Sequence, residues 1–492
     1  VRVHFIGVAG TGMGALALLF RDAGHDVTGS DAAFDPPIGP ALEAAGIACL
    51  RGYDAAHLDG RPDLVVVGNV IRRDNPEATR VREMGIPARS MSAALREHFL
   101  AGRRPLVVAG THGKTTTSAM CAWILASAGF EPGYFIGGLP KNLPSGAAIG
   151  ATRRRLALTG QPGASKDGAP PFVIEGDEYD AVYWHKEPKF LDYVGVGRDD
   201  VAVVTSVEHD HVDIYPDAAS YERAFAAFAR AVPEGGVVVC DASQRDAARI
   251  VRGEARARPV FYALQGDETG DDVVTWLGAP ATVEPNGAQT FDLYAGGVLA
   301  GRFSLAVPGR HNVRNAIAAL AACAEGFGAP IVEARRALAS FEGVRRRQDL
   351  LGTPGGVRVY DDFAHHPSAV SETLAGLRAR HPDGALWAVF EPRSATACRS
   401  LHQEAYATAF RAADRVLFAP LGRSQIADGE RLDLPRLASA IGDKAEALPN
   451  VDAILARVVE GARAGDTVAL LSNGSFGGIH ARLVTALGER AS

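Results

Sequence analysis

The chain has 492 residues, enough for two to four domains at roughly 100–200 residues each. Hydrophobic residues make up 47% and charged residues 22%, the balance of a globular protein with several cores, and no apolar run approaches the ~18 residues that span a membrane. A net charge of −6 without any clustered Lys/Arg tract argues against a nucleic-acid partner, leaving RRR at 153–155 and 345–347 as isolated triplets.

VRVHFIGV (1–8) reads as a strand running into a glycine turn, unlike the charged and apolar regions of a signal peptide. A helix follows at 15–24, a strand at 25–31 ending in Asp31, helix then strand over 42–54, a buried strand at 62–69 and a helix at 75–85. Such alternation predicts a parallel sheet. RRPLVVAG (103–110) restarts the pattern, so a domain boundary is expected near 103. Residues 156–171, rich in Gly, Pro, Ala and Ser, read as a loop. Strands are expected at 171–180 and 200–213, ending in the acidic clusters EGDEYD and EHDHVD. The stretch 258–307 is β-rich, and 311–328 is a helix closed by glycine. After FEGVRRR (341–347), GVRVYDDFAHHP, ALWAVFEPR, DRVLFAPL and DTVALLSNG form a third set of strands. The expected fold is α/β in three domains. These are an N-terminal Rossmann-like unit (1–103), a central P-loop ATPase unit with a β-rich extension (104–343) and a C-terminal Rossmann-like unit (344–492). Cys49, Cys121, Cys240, Cys323 and Cys398 form no CxxC pair, which disfavours a zinc knuckle or disulfide framework and fits a reducing cytoplasm.

The stretch GTHGKTTT (110–117) carries the sharpest chemistry. A common phosphate loop has four residues between its glycines, whereas Gly110 and Gly113 are separated only by Thr111 and His112. Lys114, Thr115 and Thr116 then open a helix, whose N–H groups favour an anion. Lys114 would reach the β/γ-phosphates of a nucleotide, and the Thr115 hydroxyl would hold Mg²⁺. A chance Gly-Lys-Thr at a helix start is the bland alternative. Glu175, Asp177, Glu178 and Asp180 in the first acidic cluster, and Glu208, His209, Asp210, His211 and Asp213 in the second, are typical hard-cation ligands. They would otherwise be solvated loop charges. Asn312 and Asn315 share a helical face and offer the donor and acceptor that adenine needs, or simply a cap. GVAGTGMG (7–14), with Asp31 closing the next strand, suits a docked phosphate or nucleotide but has no GxGxxG in register. Taken alone it would equally suit an NAD-dependent oxidoreductase, which leaves the phosphate loop and both acidic clusters without a task.

GTHGKTTT, EGDEYD, EHDHVD, GRHNVRN, FEGVRRR and DDFAHHP occur in that order, and over essentially its whole length the chain resembles the ATP-dependent Mur ligases, amide-forming enzymes of bacterial cell-wall peptides. The resemblance implies a UDP-substrate domain, a central ATPase and a C-terminal domain that brings the amino substrate. It also implies that a substrate carboxylate is activated as an acyl phosphate, with ATP and Mg²⁺, before an amine attacks. Carried over by position, Lys114 is the phosphate lysine, Thr115 the first Mg²⁺ ligand, and Glu175 and His211 the second-site ligands. Asn312 and Asn315 face adenine, Arg347 reaches the γ-phosphate and Asp362 holds the ribose. His365 and His366 receive no role. Gly10, Thr11, Gly12 and Met13 would cradle the UDP pyrophosphate, with Asp31 and Asn69 nearby. The position at which several members carry a carbamylated lysine falls on Ala226, and no lysine occurs between Lys189 and Lys444. That fits the branch taking UDP-N-acetylmuramate. EPRSAT (391–396) and SNGSFGGIH (472–480) are similar to members that add the recycled tripeptide L-alanyl-γ-D-glutamyl-meso-diaminopimelate, with Arg393, Ser472 and Asn473 on the peptide. Addition of L-alanine is the alternative. The expected partners are these small molecules in the cytoplasm, with no nucleic acid and no membrane.

Overall fold

The computed structural model describes residues 1–151, 169–279, 282–284, 287–423 and 426–491. Most of the loop expected at 156–171 therefore lies outside the described residues, and a strand begins at Pro171. Among the described residues, no helix is long and apolar enough to cross a membrane.

The N-terminal unit is a parallel sheet of β1 (Arg2–Ile6), β2 (Asp26–Asp31), β3 (Ala48–Arg51), β4 (Leu64–Val67) and β5 (Ala88–Ser90) in the order β3-β2-β1-β4-β5. Val65, Val66 and Val67 are buried in succession, as expected of a strand covered on both faces. The first helix spans Thr11–Asp22 and so starts four residues before the expected position, drawing Gly12 and Gly14 inside it. A Cβ on Gly14 would lie 2.4 Å from Ile38, so the glycine permits close helix packing.

The central unit contains β6 (Arg104–Ala109), β7 (Gly133–Phe135), β8 (Ala147–Ala148), β9 (Pro171–Glu175), a separate hairpin of β10 (Asp180–Val182) and β11 (His185–Pro188), β12 (Val201–Val204), β13 (Val237–Asp241) and β14 (Arg258–Leu264). The β-rich extension adds β15 (Val274–Gly278), β16 (Thr282–Val283), β17 (Gln289–Ala295) and β18 (Val298–Leu305). Strands β15-β14-β13-β12-β6-β9-β7 pair in parallel, while β17 joins β15, β16 and β18 in antiparallel fashion. Helices Lys114–Ser127 and Arg310–Phe327 pack on one face through Met120, Ile124, Ile317 and Leu320. Tyr221, Phe225 and Phe228 of helix Ala218–Ala231 cover the other.

The C-terminal unit has β19 (Asp349–Gly352), β20 (Arg358–Asp362), β21 (Leu386–Phe390), β22 (Arg415–Phe418), β23 (Ala445–Ala447) and β24 (Thr467–Leu471), ordered β19-β20-β24-β21-β22-β23. Only the β19–β20 pair is antiparallel among the described strands of this sheet. The three-domain α/β expectation holds. Two expected strands are shorter than read: β9 ends at Glu175 and β12 at Val204, so the second acidic cluster is a loop and the first is a loop bounded by Glu175 and by Asp180 of β10. Register places those loops side by side, because Val108 pairs with Glu175 and Ala109 with Val204. The phosphate loop and both clusters thus leave the same carboxyl edge of the sheet, where open α/β folds gather ligands.

Candidate active site

The shortened loop is gripped by the residues just after β12. Thr111 N–H donates to the Ser206 carbonyl at 3.0 Å, His112 N–H to Ser206 Oγ at 3.0 Å, and Thr205 Oγ1 to the His112 carbonyl at 2.5 Å. These bonds restrain a two-residue link that a longer loop would leave free. Gly110 and Gly113 cannot be replaced without cost. Both have left-handed backbone, φ +137° and +79°, and a Cβ would meet Thr205 Oγ1 at 2.0 Å or Asn315 Oδ1 at 2.5 Å. Helix Lys114–Ser127 starts at once, so its first N–H groups, which have no partner inside the helix, face the cleft.

Lys114 is tied down from two sides. Its Nζ donates to the Gly110 carbonyl at 2.6 Å and to both oxygens of Glu178 at 3.0 and 2.8 Å. The Glu178 side chain is 1% exposed, and its Oε1 also lies 2.8 Å from His211 Nε2. Burial pushes Glu178 up, but Lys114 and His211 outweigh it and hold the carboxyl at about 2. Burial likewise works against charge on Lys114 and His211, and the surrounding carboxylates reverse it, raising both. His211 has φ +53°, a left-handed conformation uncommon outside glycine, with its N–H bonded to Asp210 Oδ1 at 2.7 Å. Thr115 Oγ1 donates to Glu175 Oε1 at 2.7 Å, and Arg347 Nη2 donates to the same hydroxyl at 3.1 Å. Glu175 is pushed up by burial and by Asp177.

Arg347 reaches this point by a sharp turn, since its neighbours Arg346 (φ +61°) and Gln348 (φ +48°) are both left-handed. Arg346 faces the other way, bonding the carbonyls of Ser472 and Gly474 at 3.0 and 2.6 Å. Asn312 Nδ2 donates to the Pro308 carbonyl at 2.6 Å, and Asn315 Nδ2 to Asn312 Oδ1 at 3.2 Å, with Asn315 packed directly behind Gly113. Asp362 Oδ2 accepts from Gln348 N–H at 2.7 Å, and Oδ1 accepts from Ala364 N–H at 2.8 Å and Thr373 Oγ1 at 3.3 Å. Thr111 to Thr116, Glu175, His211, Asn312, Asn315, Arg347 and Asp362 all line one cleft between the central and C-terminal units.

Residues 2–103 match the Mur ligase family catalytic domain, 108–323 the Mur ligase middle domain and 346–474 the Mur ligase glutamate ligase domain. The UDP-N-acetylmuramate–L-alanyl-γ-D-glutamyl-meso-2,6-diaminoheptandioate ligase of Escherichia coli K12 is 35% identical, over 100% of this chain and 99% of its own. The chain belongs to the Mur ligase family. It is an ATP-dependent amide ligase of that family. The UDP-N-acetylmuramate–L-alanine ligase of Kineococcus radiotolerans is also 35% identical, over 99% of this chain and 97% of its own. A murein peptide ligase of known structure from Psychrobacter arcticus 273-4 is 33% identical with a TM-score of 0.71, covering 99% of this chain and 98% of that one.

In this Mur ligase the other expected site residues lie outside the cleft. Gly10 and Thr11 are exposed at the start of the first helix, and Asn69 is half-buried just beyond β4. Met13, a residue the resemblance puts at the UDP-substrate, has its side chain in the core, 6% exposed. Asp31 shapes the loop itself, accepting from the N–H groups of Ala9 at 2.8 Å and Ala32 at 2.7 Å. In the C-terminal unit Arg393 is 44% exposed and lies against Gly422 and Gly474. Ser472 differs from the expectation of a peptide donor. It is fully buried; its hydroxyl donates to Glu391 Oε2 at 2.5 Å and accepts from Gly474 N–H at 2.9 Å. It braces the turn rather than facing a ligand. Asn473, half-buried, has an Oδ1 without a partner. The sequence marked Glu178 only as one of four acids in its cluster; nothing local distinguishes it as the partner of Lys114.

Proposed function

We propose that this ligase joins UDP-N-acetylmuramate to the tripeptide L-alanyl-γ-D-glutamyl-meso-diaminopimelate in peptidoglycan recycling, in the cytoplasm. Residues 1–103 take the UDP-substrate, 104–343 ATP and 344–492 the peptide. The observation that carries the ATP half of the reading is the convergence of Lys114, Thr115, Glu175 and Arg347 at one helix N-terminus. A muramyl carboxylate oxygen attacks the γ-phosphorus, ADP leaves, and an acyl phosphate forms. The peptide amine then attacks the acyl carbon; phosphate departs, and the amine gives up a proton. Lys114, Arg347 and the first N–H groups of helix Lys114–Ser127 oppose the negative charge on the phosphoryl oxygens. Asn312 and Asn315 back the loop and flank the adenine, and Asp362 meets the ribose.

The Thr115 hydroxyl and Glu175 carboxylate, 2.7 Å apart, are hard-oxygen donors that suit Mg²⁺: Thr115 would hold the first ion, and Glu175 with His211, once parted from Glu178, the second. Mg²⁺ bound there supplies charge neutralisation on the phosphates. For the peptide, half-exposed Arg393, 3.6 Å from Glu391, is suited to a carboxylate, and Asn473 is the second candidate. The full-length likeness to the Escherichia coli relative supports the tripeptide. An equal identity to the Kineococcus enzyme keeps L-alanine as the second reading. Phosphate release with ATP and UDP-N-acetylmuramate, with either acceptor added, separates the two. Release driven by L-alanine alone would refute the tripeptide assignment.

A further inference from the structure

His112, Glu208 and His366 come from three separate segments and meet within the cleft. His112 belongs to the phosphate loop, Glu208 to the loop after β12, and His366 caps helix Pro367–Arg380 of the C-terminal unit. Their ligand atoms all lie within 4.8 Å of one another. Glu208 Oε2 is 3.4 Å from His112 Nε2 and 3.5 Å from His366 Nδ1. A tetrahedral ion with ligand bonds of about 2.0–2.2 Å separates its ligands by about 3.3–3.5 Å, so two of the three edges already have that length.

His112 Nε2 is buried and makes no hydrogen bond. Besides its approach to Glu208, His366 Nδ1 accepts a long cap bond from Ser368 N–H at 3.4 Å, which ion binding would replace. Ser368 Oγ donates to Glu208 Oε2 at 2.6 Å, the kind of outer bond that orients a ligating carboxylate. His402, whose Nε2 is likewise buried without a partner, packs edge-on against His366 at 4.6 Å between ring centres.

We propose that His112, Glu208 and His366 form a binding site for a zinc-class divalent transition ion that links the central unit to the C-terminal one. Two imidazoles and one carboxylate suit such an ion, whereas Mg²⁺ prefers an octahedron of oxygens. Three protein ligands leave a fourth position open toward the cleft. The ligand set is read from these three side chains alone and does not depend on the nucleotide assignment proposed above.

The full chain, held in excess Mg²⁺ to occupy oxygen sites, is titrated with Co²⁺ and followed by visible absorption. One equivalent should produce the strong d–d bands of four-coordinate cobalt, and Zn²⁺ should displace it. Glu208→Gln, His112→Gln and His366→Asn should each weaken binding by more than the roughly 10–100-fold that an outer-shell partner is worth. Asn keeps the helix cap, so loss of binding in His366→Asn does not stem from a frayed helix. His211→Ala should retain the bands. Weak or non-saturating bands, bands that survive the three substitutions, or bands lost in His211→Ala would each overturn the proposal.

Discussion

Lys114→Met tests whether the Lys114–Glu178 pair is a structural element, beside the phosphate-binding role proposed for Lys114. The Lys114 side chain is 13% exposed and that of Glu178 1%, so solvent screens the pair little. Glu178 stands at about 2 against an ordinary 4.5. A gap of that size corresponds to about 3 kcal/mol of folded-state stabilisation at neutral pH, shared between Lys114 and His211. Breaking a buried pair typically costs ~3–5 kcal/mol, because the remaining charge stays buried. The substitution should therefore destabilise the central unit by about 2–3 kcal/mol. For a unit of this size that lowers the melting temperature by roughly 4–12 °C. Scanning fluorimetry on wild type, Lys114→Met, Glu178→Gln and the double variant measures the coupling, and the double variant should recover at least about 1 kcal/mol. The depressed pKa gives the direction with pH. The stabilisation is fully present above the unfolded value near 4.5 and is lost as pH falls toward 2, so the difference between wild type and Lys114→Met should shrink across that window. Phosphate release should vanish in Lys114→Met while UDP-substrate binding persists. A melting temperature within ~2 °C of wild type at pH 7 would refute the reasoning, since no buried charge could then have been stranded.

Gly113→Ala places a Cβ 2.5 Å from Asn315 Oδ1 at φ +79°, so it should weaken nucleotide binding at least about 10-fold in calorimetry and cost ~1–3 kcal/mol of stability. Arg347→Ala removes the bond to Thr115 and should lower kcat without changing the affinity for the UDP-substrate; an unchanged kcat would place Arg347 outside the reaction. Arg393→Ala should raise the KM for the tripeptide while leaving that for ATP alone. Ser472→Ala should instead lower the melting temperature, reflecting ~1–3 kcal/mol from the stranded Glu391 and Gly474 groups.

Those contrasts follow from what a sequence can carry. The phosphate loop was legible because its signals are local: a buried β6, glycines where the backbone must turn left-handed, and a helix beginning at Lys114. Strand and helix alternation exposed the three sheets for the same reason. Contacts across loops were not legible. Glu175 and Glu178 are three residues apart in one acidic run, yet Glu175 bonds Thr115 and Gly137 N–H while Glu178 bonds Lys114 and His211. Only the register of β9 on β6 decides which carboxylate meets which partner. Ser472 misled for a related reason: a serine after a strand reads as an exposed donor until Glu391, at the end of the neighbouring β21, closes over it.

The triplet Arg345–Arg347 shows the same limit in the opposite direction. By composition it is a small basic triplet, and only the family resemblance singles out Arg347 for the γ-phosphate. Arg345 N–H bonds the Leu139 carbonyl, Arg346 grips Ser472 and Gly474 of the C-terminal unit, and Arg347 reaches back to Thr115. The left-handed residues Arg346 and Gln348 separate these directions within a single turn. Because Arg346 holds the C-terminal unit and Arg347 holds Thr115, any movement of that unit relative to the phosphate loop should be felt at both side chains together. A chain with glycine inserted between Arg346 and Arg347 should keep both partners available yet uncouple them, retaining nucleotide binding while losing acceptor-dependent phosphate release. Full retention of that release would mean that the two arginines act independently.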